Sequence, residues 1–415
     1  MSFREQLGNT FLILDGAMGT MLQQRGLEPG QCPEILNITK PEVVSEVQKS
    51  YVDAGSAAIY SNTFGANAHK LTHAQLDVAS AVQGGIRAAR SAAGQSDVFV
   101  GLDLGPIGEL VEPMGTLAFE ETYELYRQQV EQGVAAGADF IVIESFADLY
   151  EVKAALLAAK EHSTLPVLVT MSFEETMRSY TGCHVTNMGA TLESLGADAV
   201  GINCSLGPVQ IHPIAKVLAQ STNLPLVAKP NAGLPVFRDG ESVYDITPQD
   251  FAHALAQYAE FGFTLFGGCC GTTPEYIRLL KEAVSAKQIV SRQPVDLSAY
   301  LCTPSKSHVA SADSVFTVVE TAGKTMDDLM DEAMEAVYEG SDGVCLHLSG
   351  DDTVMVVKTL QASVNLPFVF HAQDSAVLEQ ALRCYNGRPG VTAACCQNPD
   401  CLGAAQRYGA AIVQL

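Results

Sequence analysis

Through its first 285 residues the chain alternates, eight times over, between a short apolar run and a longer stretch with helical spacing. The runs are FLILD (11–15), AAIYSNT (57–63), VFVGLDL (98–104), FIVIES (140–145), PVLVTMSF (166–173), AVGINCS (199–205), PLVAKPN (225–231) and FTLFGG (263–268). Stretches such as TYELYRQQVEQGVAAGA (122–138) lie between them, and several close on a glycine suited to the left-handed residue that ends a helix. Continuous apolar strands are buried on both faces, which implies a parallel sheet covered by helices. Eight strand–helix units in about 285 residues match a (β/α)8 barrel of the TIM type, an α/β fold. An open doubly wound sheet is the alternative.

Residues 286–312 lose this periodicity and gain Ser, Pro and Lys, the composition of a linker. Alternation then resumes in SVFTVVE (314–320), DGVCLHLS (342–349), LPFVFH (366–371), GVTAACC (390–396) and AAIVQL (410–415). These make four βα repeats and a closing strand, too few for an eight-stranded barrel. The expected organisation is a barrel over residues 1–288, a linker over 289–312, and a smaller parallel α/β half-barrel over 313–415.

A formal net charge of −23 argues against nucleic acid or an anionic membrane as partner, since both need a basic face. No stretch approaches the roughly 18 apolar residues of a membrane helix. The N-terminus has an apolar run too short for a secretory signal, and the 11 cysteines are odd in number. The expectation is a cytoplasmic, reduced protein whose cysteines are core residues or metal ligands.

On a barrel of parallel strands the working face is the C-terminal end of the strands. The polar residues there are Asp15-Gly16 through Thr20, Ser61-Asn62-Thr63, Glu144, Asn203-Cys204, Lys229-Pro230-Asn231 and Gly267-Gly268-Cys269-Cys270. Adjacent cysteines such as Cys269 and Cys270 rarely bridge each other, because the geometry is strained. Cys204 ends the strand two before them, at the same level. Three thiolates suit Zn²⁺ and leave one open position, the pattern of a catalytic site. Such a site carries a net −1 charge, which suits holding a substrate thiol as thiolate better than activating water. That chemistry is alkyl transfer to sulfur. The alternative is three buried core cysteines. The glycine-rich turn at 15–20 offers backbone N–H groups to a carboxylate, and Asp15 and Glu144 can accept from an ammonium group.

DGAMGT (15–20), SNTFGAN (61–67), FIVIES (140–145), GADAVGINCSLGP (196–208), AKPNAGLP (228–235) and GGCCGTTPEYI (267–277) together resemble the homocysteine S-methyltransferase family over residues 8–285. Within it they are most similar to the N-terminal homocysteine-binding modules of cobalamin-dependent methionine synthases. The resemblance implies zinc on Cys204, Cys269 and Cys270, and homocysteine held near Asp15, Gly16, Thr20, Glu144 and Asn203. It implies a thiolate attacking a methyl group, with methionine as product. The donor it favours is a methyl-corrinoid on a partner protein, because these residues contain no DxHxxG stretch of the kind that ligates a corrinoid. Betaine, S-methylmethionine or another small donor, a different thiol acceptor, and a non-catalytic binding or assembly subunit are the alternatives. A quaternary ammonium donor needs an aromatic cage, for which Tyr60, Phe64, Phe173 and Tyr180 are candidates.

The second unit resembles the first half of the pterin-binding barrel that follows such modules. The family's pterin-gripping polar residues are replaced by Cys345 and His347, then His371, then Ala393-Ala394, which implies no methyltetrahydrofolate site. Two readings follow. One is a scaffold whose open parallel edges make a homo-oligomer. The other is a second metal or cofactor site built from His347, His371, Cys395 and Cys396, with Cys401 nearby.

Overall fold

Each of the eight apolar runs forms a strand in the computed structural model, which describes residues 1–28, 30–238, 241–350 and 352–415. They are Leu12–Ile13 (β1), Ala58–Tyr60 (β2), Phe99–Leu104 (β3), Phe140–Phe146 (β4), Val167–Met171 (β5), Ala199–Asn203 (β6), Leu226–Lys229 (β7) and Phe263–Phe266 (β8). All pair in parallel in the order β1-β8-β7-β6-β5-β4-β3-β2. The two ends of this sheet meet, because Ala57 N donates to Ile13 O at 2.7 Å and Ser56 Oγ donates to Leu14 O at 3.2 Å. The closed barrel is therefore the fold, not the open sheet.

Strand parity sorts the side chains. One set points inward, with Leu12, Leu14, Ala58, Tyr60, Phe140, Val142, Leu168, Ala199, Val227 and Leu265 in a single cluster. Phe3 closes its lower end, stacked on Phe140 with ring centroids 4.2 Å apart. Burying that one side chain is worth about 2 kcal/mol. The outward set, including Ile59, Val100, Leu102, Ile141 and Ile143, packs beneath the helices. Continuing the inward parity one step further up each strand reaches Asp103, Glu144, Asn203 and Lys229, so the top layer of the interior is polar.

The second sheet is also parallel, in chain order: Phe316–Glu320 (β9), Gly343–His347 (β10), Phe368–His371 (β11), Gly390–Thr392 (β12) and Ala411–Val413 (β13). The expected strand over 390–396 stops at Thr392, and Cys395–Gln397 form a 3-10 turn instead. The stretch expected as a linker is partly structured. Tyr300–Cys302 and Ser307–Val309 pair as an antiparallel hairpin, and Leu301 and Cys302 are fully buried. Cys302 also exchanges backbone hydrogen bonds with Arg388 at 2.9 Å, which fixes the hairpin to the second sheet. Two apolar residues suffice for this, too few to register as a periodic pattern.

The two sheets share packing. Val111, Phe119, Tyr150, Ala154 and Leu157 of the barrel's outer layer lie in the same apolar cluster as Leu346, Phe368, Leu382 and Tyr385. Tyr150 donates to Cys384 O at 2.8 Å, and Lys153 Nζ donates to Leu382 O and Tyr385 O at 2.7 and 2.6 Å. Those carbonyls end the helix Ser375–Cys384, where a cation is favoured. Among the described residues no helix is long and apolar enough to cross a membrane.

Candidate metal centre

The top of the barrel opens into a cavity of about 820 Å³. Cys204, Cys269 and Cys270 line it together with Asp15, Gly16, Thr20, Tyr60, Asp103, Glu144 and Lys229. The ligand-capable sulfurs of the three cysteines lie within 4.8 Å of one another, the one such group of three among the described residues. Cys204 Sγ and Cys270 Sγ are 3.9 Å apart.

The backbone explains how three thiols reach one point. Cys204 follows Asn203 at the end of β6 with φ of 60°, and Ser145 follows Glu144 on β4 with φ of 66°. Both are left-handed, a conformation a non-glycine residue adopts only where its surroundings impose it. At β8, Cys269 N donates to Pro230 O at 2.8 Å, and Ala232 N donates to Cys270 O at 2.9 Å. The cysteine loop is thus stitched to the end of β7. Thr272 Oγ1 donates to Cys269 O and accepts from Ala17 N, which ties the loop to the turn after β1. A Cβ on Gly16 would lie 2.7 Å from that same hydroxyl and 2.8 Å from the Tyr51 ring, so only glycine fits there. Thr20 accepts from Gly271 N at 3.2 Å.

Asn203 is a hub. Its Oδ1 accepts from Ser145 N and Thr170 Oγ1, both at 2.8 Å, and its Nδ2 donates to Ser145 Oγ at 2.6 Å and faces Cys269 Sγ at 4.0 Å. Hydrogen bonds from Cys269 and Cys270 pull the Cys204 thiol down to about 3. The same bonds hold Cys269 well up, and Cys270 up to about 12. The three thiols are coupled, so ionising one opposes ionising its neighbours, and a cation among them would relieve that opposition.

The family model of homocysteine S-methyltransferase matches residues 12–284. This chain belongs to the homocysteine S-methyltransferase family. The methionine synthase of Mycobacterium tuberculosis (strain ATCC 25618 / H37Rv) is 30% identical over 465 aligned residues, which cover 99% of this chain and 38% of that protein. The methionine synthase of Mycobacterium leprae (strain TN) is 32% identical over 382 residues, covering 84% of this chain and 31% of that protein. The chain thus spans less than two-fifths of the length of these relatives. Among solved structures, the metallated form of the homocysteine methyltransferase MmuM from Escherichia coli matches with a TM-score of 0.57 at 25% identity. That match covers 66% of this chain and 96% of the other.

The barrel brings the residues expected to hold zinc and homocysteine to one cavity or its rim: Asp15, Gly16, Thr20, Glu144 and the three cysteines line it, and Asn203 stands behind them. Asp15 has a different neighbour from the one expected. Its Oδ1 meets Lys229 Nζ at 3.1 Å, and its Oδ2 accepts from Tyr60 N at 2.7 Å. Lys229 is 2% exposed, lies 3.5 Å from Glu144 Oε2 and sits 3.5 Å over the Tyr60 ring centroid. Burial opposes its charge, but Asp15 and Glu144 outweigh burial and hold the ammonium well up. The sequence put Lys229 at a strand end but gave it no partner, and it left Asp103 inside an apolar run. Of the aromatic candidates, Tyr60 and Phe64 line the cavity, Phe173 is buried in the outer core, and Tyr180 is 79% exposed. These four do not form one cage around the cavity.

Proposed function

We propose that this chain transfers a methyl group to the thiol of homocysteine, giving methionine, with Zn²⁺ held by Cys204, Cys269 and Cys270 and a methyl-corrinoid as donor. The observation that carries this reading is the convergence of the three sulfurs. Tetrahedral coordination with Zn–S bonds of about 2.3 Å needs sulfurs roughly 3.8 Å apart. The 3.9 Å between Cys204 and Cys270 fits that requirement. Zn²⁺ there would lower the pKa of a fourth, substrate thiol so that it is held as thiolate at neutral pH.

The chain's own residues position the reactants. Asn203 fixes the Cys269 side, and Thr20 orients the cysteine loop through Gly271. Gly16 and Thr20 border the space left for the amino-acid end of homocysteine, and Glu144 offers it a carboxylate oxygen with no hydrogen-bond partner. Asp15 bounds the same space through Lys229. The cavity continues outward past Met18, Phe64 and Lys70, which leaves room for a donor to approach from solvent. Holding thiolate and methyl group in line supplies most of what such a transfer needs. The donor assignment is supported by the likeness to methionine synthases along 99% of this chain.

The experiment mixes zinc-loaded protein with methylcobalamin and homocysteine, follows loss of methylcobalamin absorbance, counts zinc, and runs Cys270→Ala beside it. Turnover lost in the variant supports the reading. Turnover with betaine or S-methylmethionine in place of methylcobalamin would replace the donor and keep the acceptor. No homocysteine-dependent turnover with any donor would leave a binding or assembly role.

For the second unit we propose self-association through its open sheet. Val318 on the edge strand β9 is 52% exposed, and apolar edges invite pairing. Light scattering showing a monomer at working concentration would end that proposal.

A further inference from the structure

Two aromatic rings line the cavity, Tyr60 and Phe64. A donor that carries its methyl group on a quaternary nitrogen or a sulfonium needs free aromatic faces, because the ring quadrupole holds such a cation once water is excluded. In this chain each ring already carries an ammonium group of the protein itself. Lys229 Nζ sits 3.5 Å over the Tyr60 centroid, and Lys70 Nζ lies 5.3 Å from the Phe64 centroid.

The two lysines are held in different ways. Lys229 is fixed by Asp15 and Glu144. Lys70 stands in the helix Ala68–Ala74 and has no such pair among the described residues. Burial pulls its ammonium down, and Glu34 and then Glu151 oppose that pull. Both acids are spent elsewhere. Glu34 accepts from Gly65 N at 2.6 Å on one oxygen and from the Cys32 thiol at 3.0 Å on the other. Glu151 accepts from Ile107 N and the Tyr126 hydroxyl. The stem of Lys70 runs beside Gly108, where a Cβ would come within 3.3 Å of its Cε. A Cβ on Gly105 would lie 2.5 Å from carbons of the Phe64 ring. Gly105 and Lys70 together therefore cover that ring.

We propose that Lys70 is a donor-specificity residue: it lays an ammonium group that no ion pair neutralises on Phe64, and so excludes donors whose methyl sits on a nitrogen or sulfur cation. This deepens the donor half of the proposed reaction and rests on the cavity being the donor's route. Lys229 closes Tyr60 in the same way, as a fixed part of the barrel interior. Selectivity here comes from a repulsive group placed against the wrong ligand, not from a lack of aromatic rings. The same placement explains why Tyr60 and Phe64 line one cavity without offering it a cage.

The test needs neither homocysteine nor a corrinoid. It compares betaine with 3,3-dimethylbutyrate, which keeps the shape and the carboxylate but has a neutral carbon in place of the quaternary nitrogen. Each is titrated by calorimetry into the zinc-loaded protein. The ratio of the two affinities is the readout, so binding through the shared carboxylate cancels. Wild type should favour 3,3-dimethylbutyrate. Lys70→Ala should shift the ratio toward betaine by about tenfold, the scale of a desolvated cation–π contact. Lys70→Arg keeps a cation at the ring and should hold the wild-type ratio. Folding is followed by Tm, and Lys70→Met, neutral and of similar length, decides the matter if the alanine variant does not fold. A wild type that already favours betaine, a neutral variant that binds no betaine or leaves the ratio unmoved, or an equal shift in Lys70→Arg would each overturn the assignment. Methylcobalamin turnover is a separate reading: its absence in wild type would sink the donor proposal without moving this ratio.

Discussion

The two parallel sheets carry similar residue types at their C-terminal ends and treat them differently. At the second sheet, His347 Nδ1 meets Glu320 Oε1 at 2.7 Å, and His371 Nδ1 meets Thr392 Oγ1 at 2.7 Å. The two imidazoles lie against each other, with centroids 4.6 Å apart. Cys395 and Cys401 turn instead toward the carbonyl of Ala372. Every one of these groups has a local partner. At the barrel, by contrast, three sulfurs face one another, and Asp103 and Glu144 keep oxygens without hydrogen bonds. What separates a site from a set of polar strand ends is therefore convergence with unmet bonding capacity, more than residue type. Among the described residues the second metal site expected from His347, His371, Cys395 and Cys396 does not come together as a ligand cluster, and the two histidines and Cys395 are committed to different neighbours.

The sharpest way to break the comparison is at sulfur. Removing zinc with a chelator, or replacing Cys204 or Cys270 with alanine, should reduce methyl transfer by about a thousandfold or more, since the nucleophile depends on it. Zinc analysis should return one ion per chain in wild type. Next in size, Lys229→Met leaves Asp15 and Glu144 without their cation and should lower stability by about 3–5 kcal/mol, read by denaturant unfolding.

A milder effect is set by Glu151. This residue accepts from Ile107 N and Tyr126 at the barrel's outer layer, and burial pushes it up to about 7 from an ordinary 4.5. Between those pH values the folded chain holds a proton that the unfolded chain has lost. This contribution to stability is full below pH 4.5 and fades as pH rises toward 7, by at most about 3 kcal/mol. Glu151→Gln should flatten that slope. Smallest of all, His347→Ala with His371→Ala should leave both zinc content and turnover unchanged. A second zinc lost in that double variant would erase the contrast between the sheets.

Much of the barrel was legible because its strands are apolar throughout and its helices end on glycine. The cysteine trio followed from topology, since strands six and eight flank strand seven and end at one level. Lys229 escaped because its meaning lies in two residues brought together by tertiary structure, Asp15 on one side and Glu144 on the other. Asp103 had a usable signal in the inward series Phe99, Gly101, Asp103, masked by the apolar run around it. The left-handed backbone at Ser145 and Cys204 had none, because neither residue is a glycine. The hairpin at 300–309 was hidden by its brevity.

The helix Leu149–His162 belongs to two interiors at once. Val152 and Leu156 face the barrel's core, while Tyr150, Ala154 and Leu157 face that of the second sheet. A cut near residue 288 would turn the second set toward water and strip Lys153 of both its carbonyls. The break drawn by composition therefore runs between two sheets that share the packing of one helix.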